Sequence, residues 1–118
     1  MQKIKQIIKE MFFKKRTIEN IKNISYTKMQ EMLKESSDTI VLDVRSPQEY
    51  SEGHITGAIN IPEYELLSKA NSTFQNQNSK IIVYCASGSR SKKAIKTLRK
   101  LGFMNVYNLE NGIEGINI

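Results

Sequence analysis

Two aliphatic runs restrict this chain more than any other feature. Thr39 to Val44 reads Thr-Ile-Val-Leu-Asp-Val, and Lys80 to Tyr84 reads Lys-Ile-Ile-Val-Tyr. Neither alternates polar with apolar residues, so neither suits a strand with one wet face. Continuous runs of this kind belong to strands covered on both sides. The intervening segments supply the covers. Pro47 suits the first turn of a short helix through Tyr50, stopped by Gly53. Ala58 to Ile61 is a short apolar run ended by Pro62, and Leu66, Leu67, Ala70 and Phe74 fall on one face of a helix from Glu63 to about Gln75. Ser91 to Leu101 is helical, with Ala94, Ile95, Leu98 and Leu101 on one side and Gly102 where a C-terminal cap belongs. Val106 to Leu109 reads as a last strand, and Asn111-Gly112 as a turn. Upstream, Thr27 and Gln30 match a capping box, which predicts a helix over about 27–35 behind a short strand at Ile24 to Tyr26. Strands that alternate with helices predict an α/β domain with a mostly parallel sheet and helices on both faces.

The 118 residues amount to one domain by length. The net charge of +6 is uneven: residues 1–16 hold Lys3, Lys5, Lys9, Lys14, Lys15 and Arg16 against Glu10 alone, and the remainder is close to neutral. The basic pI is therefore a property of the N-terminal segment, and no nucleic-acid partner is expected for the domain. Ile4, Ile7, Ile8, Met11 and Phe12 make one stripe of an amphipathic helix over residues 1–20, with lysines opposite, ahead of a domain over 21–118. Such a stripe docks on its own domain or a second copy, or makes a peripheral membrane or protein contact through residues 1–16; the first is the ordinary case. Charges interrupt it, so no signal peptide is read, and nothing approaches the ~20 apolar residues of a membrane span. The expected location is the cytoplasm. The oligomeric state is not legible.

One cysteine and one histidine exclude an internal disulfide and a four-ligand zinc site, and neither a metal nor a cofactor is expected. The lone cysteine, Cys85, is either a buried small residue closing a strand or a reactive thiol. Its context favours the second. It stands between a buried strand and a helix, where ligands of parallel sheets collect, in the loop Cys85-Ala86-Ser87-Gly88-Ser89-Arg90. A thiolate, not a thiol, attacks, so something must lower its titration point. A helix N-terminus presents unpaired N–H groups and a partial positive charge. Small residues let successive N–H groups converge in an anion-binding nest, and Gly88 permits backbone angles closed to other residues. Arg90, with Lys92 and Lys93 nearby, adds charge to steer an anionic sulfur donor.

Two blocks then resemble the rhodanese family. Leu42-Asp43-Val44-Arg45-Ser46-Pro47-Gln48-Glu49-Tyr50 followed by Gly53-His54-Ile55-Thr56-Gly57-Ala58-Ile59-Asn60-Ile61-Pro62 is similar to its Asp-x-Arg and Glu-(Tyr/Phe)-x-x-Gly-His-Ile-x-Gly-Ala pattern. Val83 to Ser91 resembles its active-site loop, and the match extends over about residues 24–116. The resemblance implies a three-layer α/β/α fold with a five-stranded sheet. It implies that Cys85 takes sulfane sulfur from a donor and passes it on, and that backbone N–H groups of residues 86–90 hold the persulfide. Arg45 and Glu49 are placed to pair and pin the Pro47 turn; Asp43 is placed to accept backbone N–H bonds or pair with Arg45; His54 is given a structural hydrogen bond rather than a general-base role. Many members end in a Gly-Gly-x-x-x-Trp segment. This chain has no Trp, and Ile113 and Ile116 are expected to fill that space. Ala86 replaces a charged residue of some members.

The expected activity is sulfur transfer from an anionic donor such as thiosulfate to a thiol or cyanide through a Cys85 persulfide. The alternative is a persulfide carrier or redox-sensing module that docks on a partner. A phosphatase or arsenate-reductase reading is disfavoured, because those relatives use a Cys-x5-Arg loop and this chain has Cys-x4-Arg.

Overall fold

The computed structural model describes residues 5, 6, 8, 9 and 20–116. Residues 5, 6, 8 and 9 are helical and Ile8 is exposed; Ile4, Ile7, Met11, Phe12 and the rest of the expected amphipathic helix lie outside the described residues.

In chain order the elements are β1 (Lys22–Ile24), α1 (Tyr26–Glu35), β2 (Ile40–Asp43), α2 (Pro47–Glu52), β3 (Ile59–Asn60), a 3₁₀ turn (Glu63–Glu65), α3 (Leu66–Thr73), β4 (Ile81–Tyr84), α4 (Ser89–Lys100), β5 (Val106–Leu109) and a second 3₁₀ turn (Ile113–Gly115). The strands form a five-stranded sheet in the order β1-β5-β4-β2-β3, with every pairing parallel. The two aliphatic runs are its centre: β2 lies beside β4 with Leu42 opposite Val83 and Asp43 opposite Tyr84.

Side chains of a strand alternate between faces, and β4 divides its residues accordingly. Ile81 and Val83 enter a cluster with Leu66, Ala70, Ala94, Ile95 and Leu98 from α3 and α4; Ile82 and Tyr84 enter the opposite cluster with Met29 and Met32 of α1. Cys85, one residue past the strand, continues the alternation on the α3–α4 face. That places its sulfur under the N-terminal end of α4.

Several boundaries differ from the sequence reading. The capping box at Thr27 and Gln30 does not form. Helix α1 starts at Tyr26, and Ser25, still extended at φ −77° and ψ 163°, accepts the Lys28 amide at 3.0 Å. The first hydroxyl after the strand takes the cap. The short strand accordingly sits earlier, at Lys22–Ile24. The helix expected from Glu63 to about Gln75 is a 3₁₀ turn followed by α3, and it ends at Thr73. Phe74 leaves the helix in an extended conformation so that its ring can enter the core, edge-on to Phe103 with centroids 5.8 Å apart. Ile113 and Ile116 pack on the α1-side cluster but are only partly buried. They border a groove of about 430 Å³ with Tyr26, Met29, Leu33 and Ile55, so without a Trp the space stays partly open. No helix among the described residues is long and apolar enough to cross a membrane.

Candidate active site

The chain must turn sharply after β4 to start α4 above its own strand. Gly88 makes the turn, at φ +117° and ψ −10°, and no side chain caps the helix. The amides at this end of α4 are therefore left for another acceptor. The Gly88 N–H points inward and donates to Cys85 Sγ at 3.1 Å. The Ser91 hydroxyl lies 3.5 Å from the same sulfur, 3.0 Å from the Gly88 carbonyl and 2.5 Å from Asn108 Oδ1. Cys85 is 1% exposed. Burial pushes its thiol up, but the Ser91 hydroxyl and the backbone N–H groups of Ser91, Gly88 and Ser87 together hold it below the ordinary thiol value. The sulfur thus sits in apolar packing on one side and against hydrogen-bond donors on the other.

The far end of the chain fastens the loop. Ile113 N–H donates to the Cys85 carbonyl at 2.9 Å and Glu114 N–H to the Ala86 carbonyl at 3.0 Å. Gly112, at φ +61°, allows this approach. A Cβ there would lie 2.4 Å from the Ala86 oxygen and 2.5 Å from the Cys85 oxygen.

On the other flank, residues 43–54 form a shoulder built from side chains. The buried Asp43 carboxylate accepts Arg45 Nε at 3.1 Å, Arg45 Nη2 at 2.7 Å and the Arg45 amide at 2.9 Å. Arg45 Nη2 also reaches the Gly53 carbonyl at 2.6 Å, closing the segment into a loop. Ser46 and Glu49 form a capping box for α2, at 3.1 and 3.2 Å. The Glu49 carboxylate takes both guanidinium nitrogens of Arg90, at 2.6 and 2.9 Å, and this pairing holds its titration point down to about 2. His54 donates from Nδ1 to the Tyr50 carbonyl at 2.8 Å and stacks on the Tyr50 ring at 3.7 Å.

Two sequence expectations are corrected here. Arg45 does not pair with Glu49. Asp43 closes β2, and where the chain bends at Arg45 the Asp43 carboxylate accepts the Arg45 amide, a local turn that brings the guanidinium onto the same carboxylate. Glu49, facing outward from the first turn of α2, meets Arg90 instead. Consequently Arg90 is not a free cation beside the sulfur; its charge is matched by Glu49. Lys92 is exposed, and Lys93 reaches toward Glu63 at 3.7 Å. A cavity of about 230 Å³ adjoins Ala86 and is bordered by Arg45, Glu49, Glu52, Gly53, Ile113 and Glu114. Its margin is acidic. Ser87 and Ser89 are exposed at the loop surface, and Ala86 is half-buried. His54 stays on the shoulder, bonded to Tyr50. Among the described residues no group of three His, Cys, Asp or Glu side chains converges as a metal site would require.

Three contributors were not singled out from sequence. Ser91 stood only at the end of the loop motif. Its signal is its position three and four residues before Ala94 and Ile95, a polar group on the apolar face of α4. Asn108 is a polar residue inside an apolar strand and is 2% exposed. Gly112 read simply as a turn.

The model of the rhodanese-like domain matches residues 25–118. A putative sulfur carrier protein, YrkF of Bacillus subtilis, is 35% identical over 94 residues, covering 80% of this chain and 50% of the relative. A tRNA uridine(34) hydroxylase of Aster yellows witches'-broom phytoplasma is 37% identical over 95 residues, covering 75% of this chain and 31% of that protein. The chain thus spans half or less of the length of these two curated relatives. The human single-domain sulfurtransferase TSTD1 superposes with a TM-score of 0.67 at 25% identity, covering 79% of this chain and 92% of that one. A five-stranded parallel sheet with a cysteine loop at the carboxyl end of its central strand, matched over most of its length by the family model, makes this chain a member of the rhodanese-like domain family.

Proposed function

We propose that the protein is a sulfurtransferase that carries sulfane sulfur as a persulfide on Cys85. The observation that carries this reading is the inward Gly88 amide, 3.1 Å from a sulfur that Ser91 also touches. Donors aimed at one buried atom favour its charged form, and a thiolate is the attacking species. With thiosulfate as donor, the Cys85 thiolate attacks the outer sulfur. The sulfur–sulfur bond of thiosulfate breaks, sulfite leaves with the bonding pair, and Cys85 holds a persulfide anion. An acceptor thiolate, or cyanide, then attacks the outer sulfur and Cys85 leaves as thiolate. The two steps balance without an oxidant. The same amides that favour the thiolate favour the persulfide anion. The names of the sulfur carrier and of the human sulfurtransferase are consistent with this chemistry.

A second reading is favoured by a specific observation. The cavity beside Ala86 has an acidic margin, and Arg90 is already matched by Glu49. The acidic margin and the matched guanidinium weaken the pull on a small dianion, which favours Cys85 serving a docked protein partner as a persulfide carrier. Pairing of Arg90 with Glu49 also leaves no free guanidinium for a phosphate, which adds to the loop-length argument against a phosphatase. Steady-state turnover of thiosulfate with cyanide separates the two sulfur readings. Sustained, Cys85-dependent turnover supports the sulfurtransferase. A stable persulfide with negligible turnover supports the carrier. Turnover that survives Cys85→Ser contradicts both.

A further inference from the structure

Ser91 has more neighbours than its one proton can serve. A serine hydroxyl carries one proton and two lone pairs, while the Gly88 carbonyl, the Asn108 amide oxygen and a deprotonated sulfur can only accept. At 2.5 Å, Ser91 Oγ and Asn108 Oδ1 need a proton between them. In that arrangement the hydroxyl is committed to Asn108, and Cys85 can meet Ser91 only by donating its own S–H. A charged sulfur requires the reverse: the Ser91 proton aimed at sulfur, and a donor facing the Ser91 oxygen.

Asn108 holds such a donor at the other end of its amide. Its Nδ2 donates to Asn23 Oδ1 at 2.9 Å. Half a turn of the amide would exchange its two ends, and Asn23, an exposed residue, is free to turn its own amide to match. Cys85, Ser91 and Asn108 are 1%, 0% and 2% exposed, so the buried end of this chain of groups has little water to fall back on. An acceptor facing an acceptor there would be costly.

We propose that Asn108 is a positioning residue whose amide, backed by Asn23, reverses the direction of the hydrogen-bond chain Cys85–Ser91–Asn108–Asn23 when the sulfur becomes charged, and so releases the Ser91 proton to the thiolate or persulfide. With the thiol, donors run outward from S–H to Asn23. With the anion they run inward from the Asn23 amide to the sulfur. No proton changes its heavy atom except the one Cys85 loses. The charged groups near the sulfur are Arg90, whose guanidinium interacts electrostatically with Cys85, and Glu49, which pairs with Arg90; neither is a member of this hydrogen-bond chain. This inference rests on the reading of Cys85 as the sulfur-bearing nucleophile and adds how its anion is accommodated.

The test is the rate of Cys85 alkylation against pH in the full chain, which reads one site because there is one cysteine. Asn23→Asp places an acceptor-only group at the surface end and holds the Asn108 amide in its outward direction. Its titration midpoint should rise, leaving about tenfold less thiolate at neutral pH, in high salt as in low, because a hydrogen-bond direction is not screened. Asn23→Ala removes the acceptor without fixing a direction and should move the midpoint less. In a Ser91→Ala background the Asn23→Asp effect should vanish. The proposal is overturned if Asn23→Asp and Asn23→Ala titrate alike, if the shift disappears in high salt, or if it survives in Ser91→Ala. Persulfide formation is followed separately by mass. A wild-type protein that never takes sulfur contradicts the proposed function, whereas equal titrations with normal sulfur uptake contradict only this chain of groups.

Discussion

The two flanks of Cys85 are built from different materials. On one side, residues 85–91 hold the sulfur with main-chain N–H groups and one hydroxyl, and no charged side chain donates to it. On the other, residues 43–54 are locked by ionic side chains: Asp43 on Arg45, Arg45 on the Gly53 carbonyl, Glu49 on Arg90. The difference separates two tasks. The loop supplies chemistry through its backbone and the Ser91 hydroxyl, so the outward side chains of Ser87 and Ser89 carry little of it. The shoulder supplies position through its side chains, so their identity matters while they stay out of the reaction. Mutations on the two sides should therefore fail in different ways.

The largest effect is expected on the shoulder. Asp43→Ala leaves the buried Arg45 guanidinium without its carboxylate, a loss of about 3–5 kcal/mol. Urea unfolding should show it, while the fraction that remains folded still takes up sulfur. If stability holds and sulfur uptake collapses, the division of labour is wrong. Next comes Gly112→Ala. Its methyl would meet two backbone oxygens of the loop, and backbone cannot swing aside like a side chain. About 2 kcal/mol of strain is expected, with persulfide formation slowed at least about tenfold as the loop shifts. Unchanged uptake would mean that the loop tolerates displacement and that the amide positions are not critical. Gly88→Ala is a cleaner probe, since its Cβ would meet open space. Only the positive φ resists it, at about 1–2 kcal/mol; differential scanning calorimetry checks this, and a larger loss would reveal contacts beyond backbone strain.

Glu49→Gln should have the smallest effect on stability at neutral pH, below about 1 kcal/mol, because both partners are partly exposed. Its signature is in acid. The folded carboxyl titrates at about 2, below the ordinary value of 4.5, because Arg90 favours its charged form. The pair therefore stabilises the fold above 4.5, and this contribution is lost as pH falls from 4.5 toward 2. Glu49→Gln should flatten that portion of the acid limb in a pH series of thermal melts. It also frees Arg90, so thiosulfate should react faster at low salt than with the parent protein. An identical acid limb in both proteins would remove Glu49 from the shoulder's ionic frame.

What was legible in the sequence follows the same line. The two uninterrupted runs announce β2 and β4, because only a sheet covered on both faces asks for Ile and Val at consecutive positions. Val106–Leu109 reads as a strand from its apolar residues and is one over the same four positions. The site's position at the end of β4 was legible too, since Cys85 stands where a buried strand gives way to small residues and a helix. Partners were harder. Asp43 and Arg45 lie two apart at the bend that ends β2, where an Asp side chain caps the amide two residues on, a local signal that favours their contact over Arg45–Glu49. Glu49 and Arg90 are 41 residues apart and meet only because β2 and β4 are neighbours. Ser91 and Asn108 belong to different elements, and their contact depends on how α4 lies across β5. Cap choice turned on a single residue, Ser25 over Thr27, both hydroxyls near one helix start. Local chemistry thus reads from sequence, while long-range pairing requires the sheet order.

The most direct measurement is intact mass after incubation with thiosulfate and removal of excess donor. A gain of one sulfur, about 32 Da, reversed by dithiothreitol and absent in Cys85→Ser, is the covalent intermediate the account requires. A wild-type mass that never moves, or the same gain in Cys85→Ser, would contradict it.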